Sequence, residues 1–198
     1  MFVQVLRGRA TDAAGVILQL DRWLAEESSK AEGWLGTTAG ITEDDRFIAS
    51  VRFESQEAAQ ANSNRDGQTQ WWNEFSKYLD TARFRDCTEV DQYKGGGSDN
   101  AGFVQVIEGR VLDAQHYREE VRSLAGTPRD DVIGGLIAWD GSHFTEFVYF
   151  TSEEEAREGE RGSEQEVAIE KAWPLTQDLE YFDIRNPWLV SPSPDRSG

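Results

Sequence analysis

The sequence predicts an α+β protein built from two tandem ferredoxin-like βαββαβ repeats, with antiparallel sheets packed into one pseudo-two-fold α/β barrel. Three observations predict it. A stretch at the start of the chain, Phe2-Val3-Gln4-Val5-Leu6-Arg7-Gly8-Arg9, returns with two changes as Phe103-Val104-Gln105-Val106-Ile107-Glu108-Gly109-Arg110. Each copy is followed by the same succession of strand-like and helix-like patterns, the βαββαβ order. A four-stranded sheet with helices on one face leaves its other face apolar, and two such halves can cover each other by sheet-on-sheet packing. The repeats are read as residues 1–94 and 102–190, joined by a flexible Gly-rich linker at 95–101. Residues 191–198, Ser-Pro-Ser-Pro followed by a polar end, read as a disordered tail.

Taken in order, Phe2 to Arg9 alternates Phe2/Gln4/Leu6 against Val3/Val5/Arg7, the period-2 pattern of a strand with two occupied faces. Asp12 is placed to cap a helix carrying Val16, Ile17, Leu20, Trp23 and Leu24 on one stripe. Trp34 to Ile41 reads as a second strand. The polar turn Glu43-Asp44-Asp45 returns it as an antiparallel partner over Arg46 to Glu54. Ser55, with Glu57 in the first turn, opens a second helix. The loop-like run Asn62 to Gly67 should break that helix before Trp71, Trp72, Phe75, Tyr78 and Leu79 resume helical spacing, and Arg83 to Val90 reads as the fourth strand. The second repeat keeps the same order. Its strand Gly102 to Arg110 leads to a helix from Asp113, a hairpin of Val132 to Trp139 and His143 to Phe150, and a helix from Ser152. A break at Gly159 to Gly162 precedes a segment ending at Trp173-Pro174 and a strand from Leu179 to Arg185.

Composition narrows the function classes. A formal charge of −17 over 198 residues argues against nucleic acid and against an anionic membrane surface, both of which need Lys/Arg patches. One cysteine, Cys87, rules out an internal disulfide and suits a reducing compartment. Met1 runs straight into the repeated strand without a basic-then-apolar leader, and no apolar run approaches the roughly 20 residues of a membrane helix. A cytoplasmic location is expected. The chain should exist as a monomeric pseudo-dimer or a weak homo-oligomer.

With the repeated strand, Arg52-Phe53-Glu54-Ser55-Gln56-Glu57-Ala58-Ala59 and its echo Tyr149-Phe150-Thr151-Ser152-Glu153-Glu154-Glu155-Ala156, the chain resembles the dimeric α/β-barrel superfamily in its antibiotic-biosynthesis-monooxygenase-like branch. The resemblance spans both tandem copies and is similar to that of bacterial two-repeat proteins of unassigned role. It implies a pocket between sheet and helices within a repeat. It implies either cofactor-independent oxygenation of an aromatic substrate or a barrel without chemistry. Haem-degrading members carry an Asn late in strand one, a Trp just before the second helix and a His on that helix. Here Leu6 and Ile107 hold the first position, Phe53 and Phe150 the second, and neither second helix has a histidine, which speaks against haem degradation.

Gln4 and Gln105 share a face with Phe2/Leu6 and Phe103/Ile107. A buried amide there needs a partner, from backbone, water or a ligand, because leaving one unpaired costs about 1–3 kcal/mol. Trp71, Trp72, Phe75 and Tyr78 form the densest aromatic group, and adjacent tryptophans on a helix point about 100° apart. Core packing accounts for most of it; a flat ligand against one ring would account for the pair. The ligand-binding candidates are therefore Gln4, Gln105, Phe53, Asn62, Trp71 and Trp72, with a small apolar or aromatic molecule as the expected partner and no cofactor. The first repeat is favoured, since the second has Glu158, Glu160, Arg161, Glu164 and Glu166 where the first has amides and indoles. Glu146, on the helix-facing side of its strand where the first repeat has Ala49, is a weak acid/base candidate together with His116. Gly36/Gly40 and Gly134/Gly135 mark either local bulges or room for a ligand. There is no dinucleotide or P-loop motif, no metal-ligand spacing, and no Ser-His-Asp order that two histidines could serve.

Overall fold

The computed structural model describes residues 1–125, 129–161 and 175–192. The chain divides into two compact units, Met1–Thr88 together with the C-terminal segment from Trp188, and Glu89–Pro187. The first contains β1 (Phe2–Ala10), α1 (Ala13–Glu26), β2 (Trp34–Ile41), β3 (Arg46–Phe53), α2 (Gln56–Ser63), α3 (Asp66–Phe75) and β4 (Leu79–Cys87). The second begins with β5 (Glu89–Tyr93) and continues with β6 (Phe103–Val111), α4 (Ala114–Ala125), β7 (Val132–Asp140), β8 (His143–Phe150), α5 (Glu153–Glu160) and β9 (Thr176–Ile184). The short β10 (Trp188–Val190) belongs to the first unit. The α+β class and tandem ferredoxin-like order are those the sequence predicts.

Each sheet has five antiparallel strands, in the orders β10-β2-β3-β1-β4 and β5-β7-β8-β6-β9. Four strands of each come from one repeat, and the fifth is exchanged. β5 comes one residue after β4 yet pairs with β7, Tyr93 opposite Gly135; β10 pairs with β2, Trp188 opposite Ala39. This corrects the expected fourth strand over Arg83 to Val90. The fourth strand starts at Leu79 and stops at Cys87, and Glu89–Tyr93 is an edge strand of the other sheet. Six of the nine β4 residues are exposed, which erased the alternation that would have marked it.

Local chemistry sets the element boundaries. The Asp12 carboxylate accepts from the Gly15 N–H at 3.1 Å, and Ser55 and Ser152 accept from Ala58 and Glu155 at 3.2 Å, each satisfying an open N–H of a first helical turn. The helix break is narrower than the sequence suggests. Only Asn64 and Arg65 separate α2 from α3, and Gly67 lies inside α3, where a Cβ would press on the Glu27 carboxylate. The register slips between Trp34 and Gly36 and between Val132 and Gly134 make Gly36 and Gly134 bulge positions, whereas Gly40 pairs in regular register with Ile48. Gly135 is bare for another reason: a Cβ there would overlap the Tyr93 ring. The second break (Gly159 to Gly162), the segment ending at Trp173-Pro174, Glu164, Glu166 and tail residues 193–198 lie wholly or partly outside the described residues.

Candidate ligand site

The first unit encloses a cavity of about 310 Å³ between its sheet and its helices. The strand alternation fixes the floor. Thr37, Val51 and Gln4 lie on one row across β2, β3 and β1, and Ala49 and Leu6 lie on the next, with exposed Phe84 of β4 at its end. Leu20 and Trp23 of α1 form one wall; Asn62 and Ser63 of α2 and Gln68, Thr69, Trp71, Trp72 and Phe75 of α3 form the roof. Trp188 on the exchanged strand β10 closes a further side. Of the candidates, Gln4, Phe53, Asn62, Trp71 and Trp72 all line this cavity, and Gln105 belongs to the second unit.

The aromatic group is internally packed. Trp71 stacks on Phe75 with centroids 4.7 Å apart and planes 17° apart, and its indole N–H donates to the Gln19 carbonyl at 2.7 Å. Trp23 meets Trp34 edge to face at 5.0 Å. Trp72 leans on Phe84 at 4.9 Å, and Phe84 keeps 49 % of its surface in solvent, so this pair stands at the mouth. Such contacts hold the rings as rigid apolar walls.

The polar groups among them are neutral, and four are held by side-chain partners. Gln4 Nε2 donates to Asp86 Oδ1 at 2.8 Å, Asn62 Oδ1 accepts from Arg65 at 2.6 Å, Gln68 Oε1 accepts from the Trp23 indole at 2.7 Å, and Thr37 Oγ1 accepts from the Trp34 indole at 3.0 Å. Arg65 also pairs with Glu27, which Lys30 reaches at 2.9 Å. The charge behind Asn62 is thus neutralised outside the cavity. No ionisable side chain is among the described residues that line it.

The second unit uses the corresponding floor differently. Gln105 repeats the amide–carboxylate contact, donating to Asp183 at 3.1 Å. Glu146, however, is buried and accepts from the Tyr93 hydroxyl at 2.8 Å. Burial holds the Glu146 carboxyl above the usual carboxylate range against the opposing effect of the Tyr93 hydrogen bond. Burial, then the neighbouring Glu146 charge, pushes the Tyr93 phenol well above its ordinary value. His116 is no partner of Glu146. It lies on the exposed side of α4, where its backbone N–H donates to Asp113 at 3.0 Å, so the suggested acid/base pair does not assemble. A cleft of about 40 Å³ in this unit lies beside Tyr93, Arg118 and Ile137.

Sequence reasoning missed Thr37, Gln68, Asp86, Arg65 and Trp188. Gln68 stands one helical turn before Trp72 and was findable from spacing. Asp86 is opposite Gln4 only once β4 is in register, and Trp188 reaches the site only through the strand exchange.

No family model matches the chain, and no curated protein matches it in sequence. Solved structures do match in fold. A proposed monooxygenase from Lactobacillus acidophilus superposes with a TM-score of 0.73 at 10 % identity, covering 96 % of this chain and 99 % of its own. Another from Fusobacterium nucleatum gives 0.77 at 8 %, covering 96 % and 94 %. An anthrone oxidase-like protein gives 0.59 at 11 %, covering 95 % and 93 %. The chain has the tandem ferredoxin-like fold of these monooxygenase-like proteins. At such identity the likeness concerns the fold alone. No helix among the described residues is long and apolar enough to cross a membrane.

Proposed function

We propose that the first unit binds a small, flat, uncharged and mostly apolar molecule. One observation carries the reading: a cavity of about 310 Å³ walled by packed aromatic rings, with a few neutral amides and hydroxyls and no ionisable group among its described lining. Concave, largely apolar sites with a few convergent polar groups are where proteins hold small ligands. The fold neighbours named as monooxygenases and anthrone oxidase-like proteins suggest an enzymatic form of this reading, oxygenation of an aromatic substrate without a cofactor. That chemistry needs a proton acceptor beside the guest to form a carbanion. Asp86 reaches the cavity only through the Gln4 amide, so binding is the reading the lining supports.

Titration of tryptophan fluorescence with neutral anthrones, quinones and flavonoids tests it. Saturable quenching is expected. Trp72→Ala should weaken it about tenfold, which is 1.4 kcal/mol, and should destabilise less than Trp71→Ala, because the Trp72 indole N–H makes no hydrogen bond among the described residues. Trp71→Ala should weaken binding and also destabilise, through loss of the Gln19 hydrogen bond and the Phe75 stack. Binding that survives both changes and is lost with Gln105→Ala places the ligand in the other unit and ends the proposal.

A further inference from the structure

We infer that this cavity reads its guest through a fixed hydrogen-bond polarity, with donors gathered at its β2 side and an acceptor, Gln4 Oε1, on the β1 side. The ligand class is then a flat neutral molecule carrying a carbonyl or ether oxygen at one end and a hydroxyl or N–H at the other. The inference rests on the binding reading above and adds the chemistry of the ligand.

Amide orientations are usually open to choice, because oxygen and NH₂ can be exchanged by rotation. Here each of four polar groups is held by a partner that can play only one part. The Asp86 carboxylate can only accept, so it takes the Gln4 NH₂ and turns Oε1 inward. The Arg65 guanidinium can only donate, so it takes the Asn62 oxygen and leaves Nδ2 to the cavity. Indole N–H groups can only donate. Trp23 therefore fixes Gln68 with Nε2 free, and Trp34 fixes Thr37 so that its hydroxyl proton is the one left to give. Turning any amide would set like against like, oxygen on carboxylate or NH₂ on a donor, and would forfeit the existing bond. The Ser63 hydroxyl donates to the Ala59 carbonyl at 3.0 Å and leaves only acceptor capacity, whereas the Thr69 hydroxyl can rotate to suit a guest.

Placement turns three of these atoms, on Gln68, Thr37 and Gln4, into a pattern. The two indoles that fix Gln68 and Thr37 pack against each other at 5.0 Å, which brings both donors to the same side. Thr37, Val51 and Gln4 succeed one another along a ladder row, so Gln4 lies two strand spacings, roughly 10 Å, from Thr37. Two fused rings with a substituent at each end can bridge that span. A carboxylate or sulfonate on the guest is disfavoured, since Asp86 stands behind Gln4 and the Arg65 charge is already met by Glu27.

Calorimetric titration of the full-length protein with four matched probes tests the polarity in mildly acidic buffer, where the phenols keep their protons. Tetralin has neither group, 1-tetralone has the acceptor oxygen, 5,6,7,8-tetrahydro-2-naphthol has the hydroxyl, and 6-hydroxy-1-tetralone has both at opposite ends. Each correctly placed group should improve affinity about three- to tenfold, the worth of one net hydrogen bond, with 6-hydroxy-1-tetralone tightest. Gln4→Met should erase the gain from the hydroxyl and keep the gain from the ketone; Asp86 is exposed, so losing its partner leaves the fold intact. Four equal affinities, or an order that tracks hydrophobicity, overturn the polarity while leaving the binding reading standing. Failure of all four to bind overturns both.

Discussion

Ala49 and Glu146 occupy the same place in the two units. Ala49 lies opposite Leu6 and Ala39; Glu146 lies opposite Ile107 and Ile137. The neighbouring edge strands keep the same register and differ in side chain. Val190 of β10 lies opposite Thr37, whereas Tyr93 of β5 lies opposite Gly135, over whose bare backbone its ring passes to reach Glu146. On one sheet floor a tyrosine and a glutamate meet, and on the other the cavity lies above alanine and threonine. Open apolar volume costs stability, roughly 24 cal/mol per Å³ where it stays empty. The comparison shows how a duplicated fold diverges: the ladder register is shared, and side-chain volume differs at two or three equivalent positions.

The largest effect expected from breaking this contrast comes from Ala49→Phe, which places a ring in the open cavity. Binding of the aromatic probes should fall by at least tenfold, or about 1.4 kcal/mol, while the thermal midpoint holds or rises. Retained affinity would show that the guest does not use this floor. Next is Glu146→Ala, which leaves the buried Tyr93 hydroxyl without its acceptor and should cost about 1–3 kcal/mol in urea unfolding.

The Glu146→Gln variant sharpens the same point through pH. The folded pKa of Glu146 lies above its unfolded value, so the folded state binds the extra proton. That contribution is full below the unfolded pKa and is lost as pH rises through the folded one. Relative to wild type, Glu146→Gln should become progressively more stable from about pH 4 upward, levelling off above the raised carboxyl pKa. A stability difference independent of pH would mean that Glu146 titrates as an ordinary carboxylate.

Smaller effects separate the two exchanged strands. β5 is clamped by Arg118, which lies 2.7 Å from Glu89 and 3.0 Å from Asp91 and stacks over Trp139 at 4.5 Å. Glu89 is largely exposed, so Arg118→Ala should cost only about 1 kcal/mol, falling further in high salt. β10 is held on its helix side by the Trp188 indole, which donates to Asp21 at 2.8 Å. Trp188→Ala should weaken probe binding a few-fold, about 0.5–1.5 kcal/mol, because it removes a cavity wall, whereas Arg118→Ala should leave binding unchanged. Smallest of all, Gln105→Ala should leave probe affinity unaltered.

What the sequence by itself determined is local. The duplicated strand, the period-2 alternation from Phe2 and Phe103, and the caps Asp12, Ser55 and Ser152 encode both copies of the fold, because each signal is written within a few residues of where it acts. The helix-facing side of β1, and with it Gln4 beside Phe2 and Leu6, was legible for the same reason. Trp71, Trp72 and Asn62 were legible as a group of aromatics and amides near a helix break. Only the tertiary structure decided the rest. Strand exchange depends on backbone pairing between segments far apart in the chain, Trp188 to Val190 against Thr37 to Ala39, and three half-buried residues carry too little pattern to announce it. The polarity of the cavity depends on which partner each amide finds. Asp86 is 82 residues from Gln4 and Gln68 is 45 from Trp23, and hydrogen bonds at such separations exist only after the strands and helices have been brought together. Whether the space above β3 is cavity or core was likewise settled by packing, since an alanine or a glutamate at that ladder position leaves the strand pattern the same and changes only the volume above it.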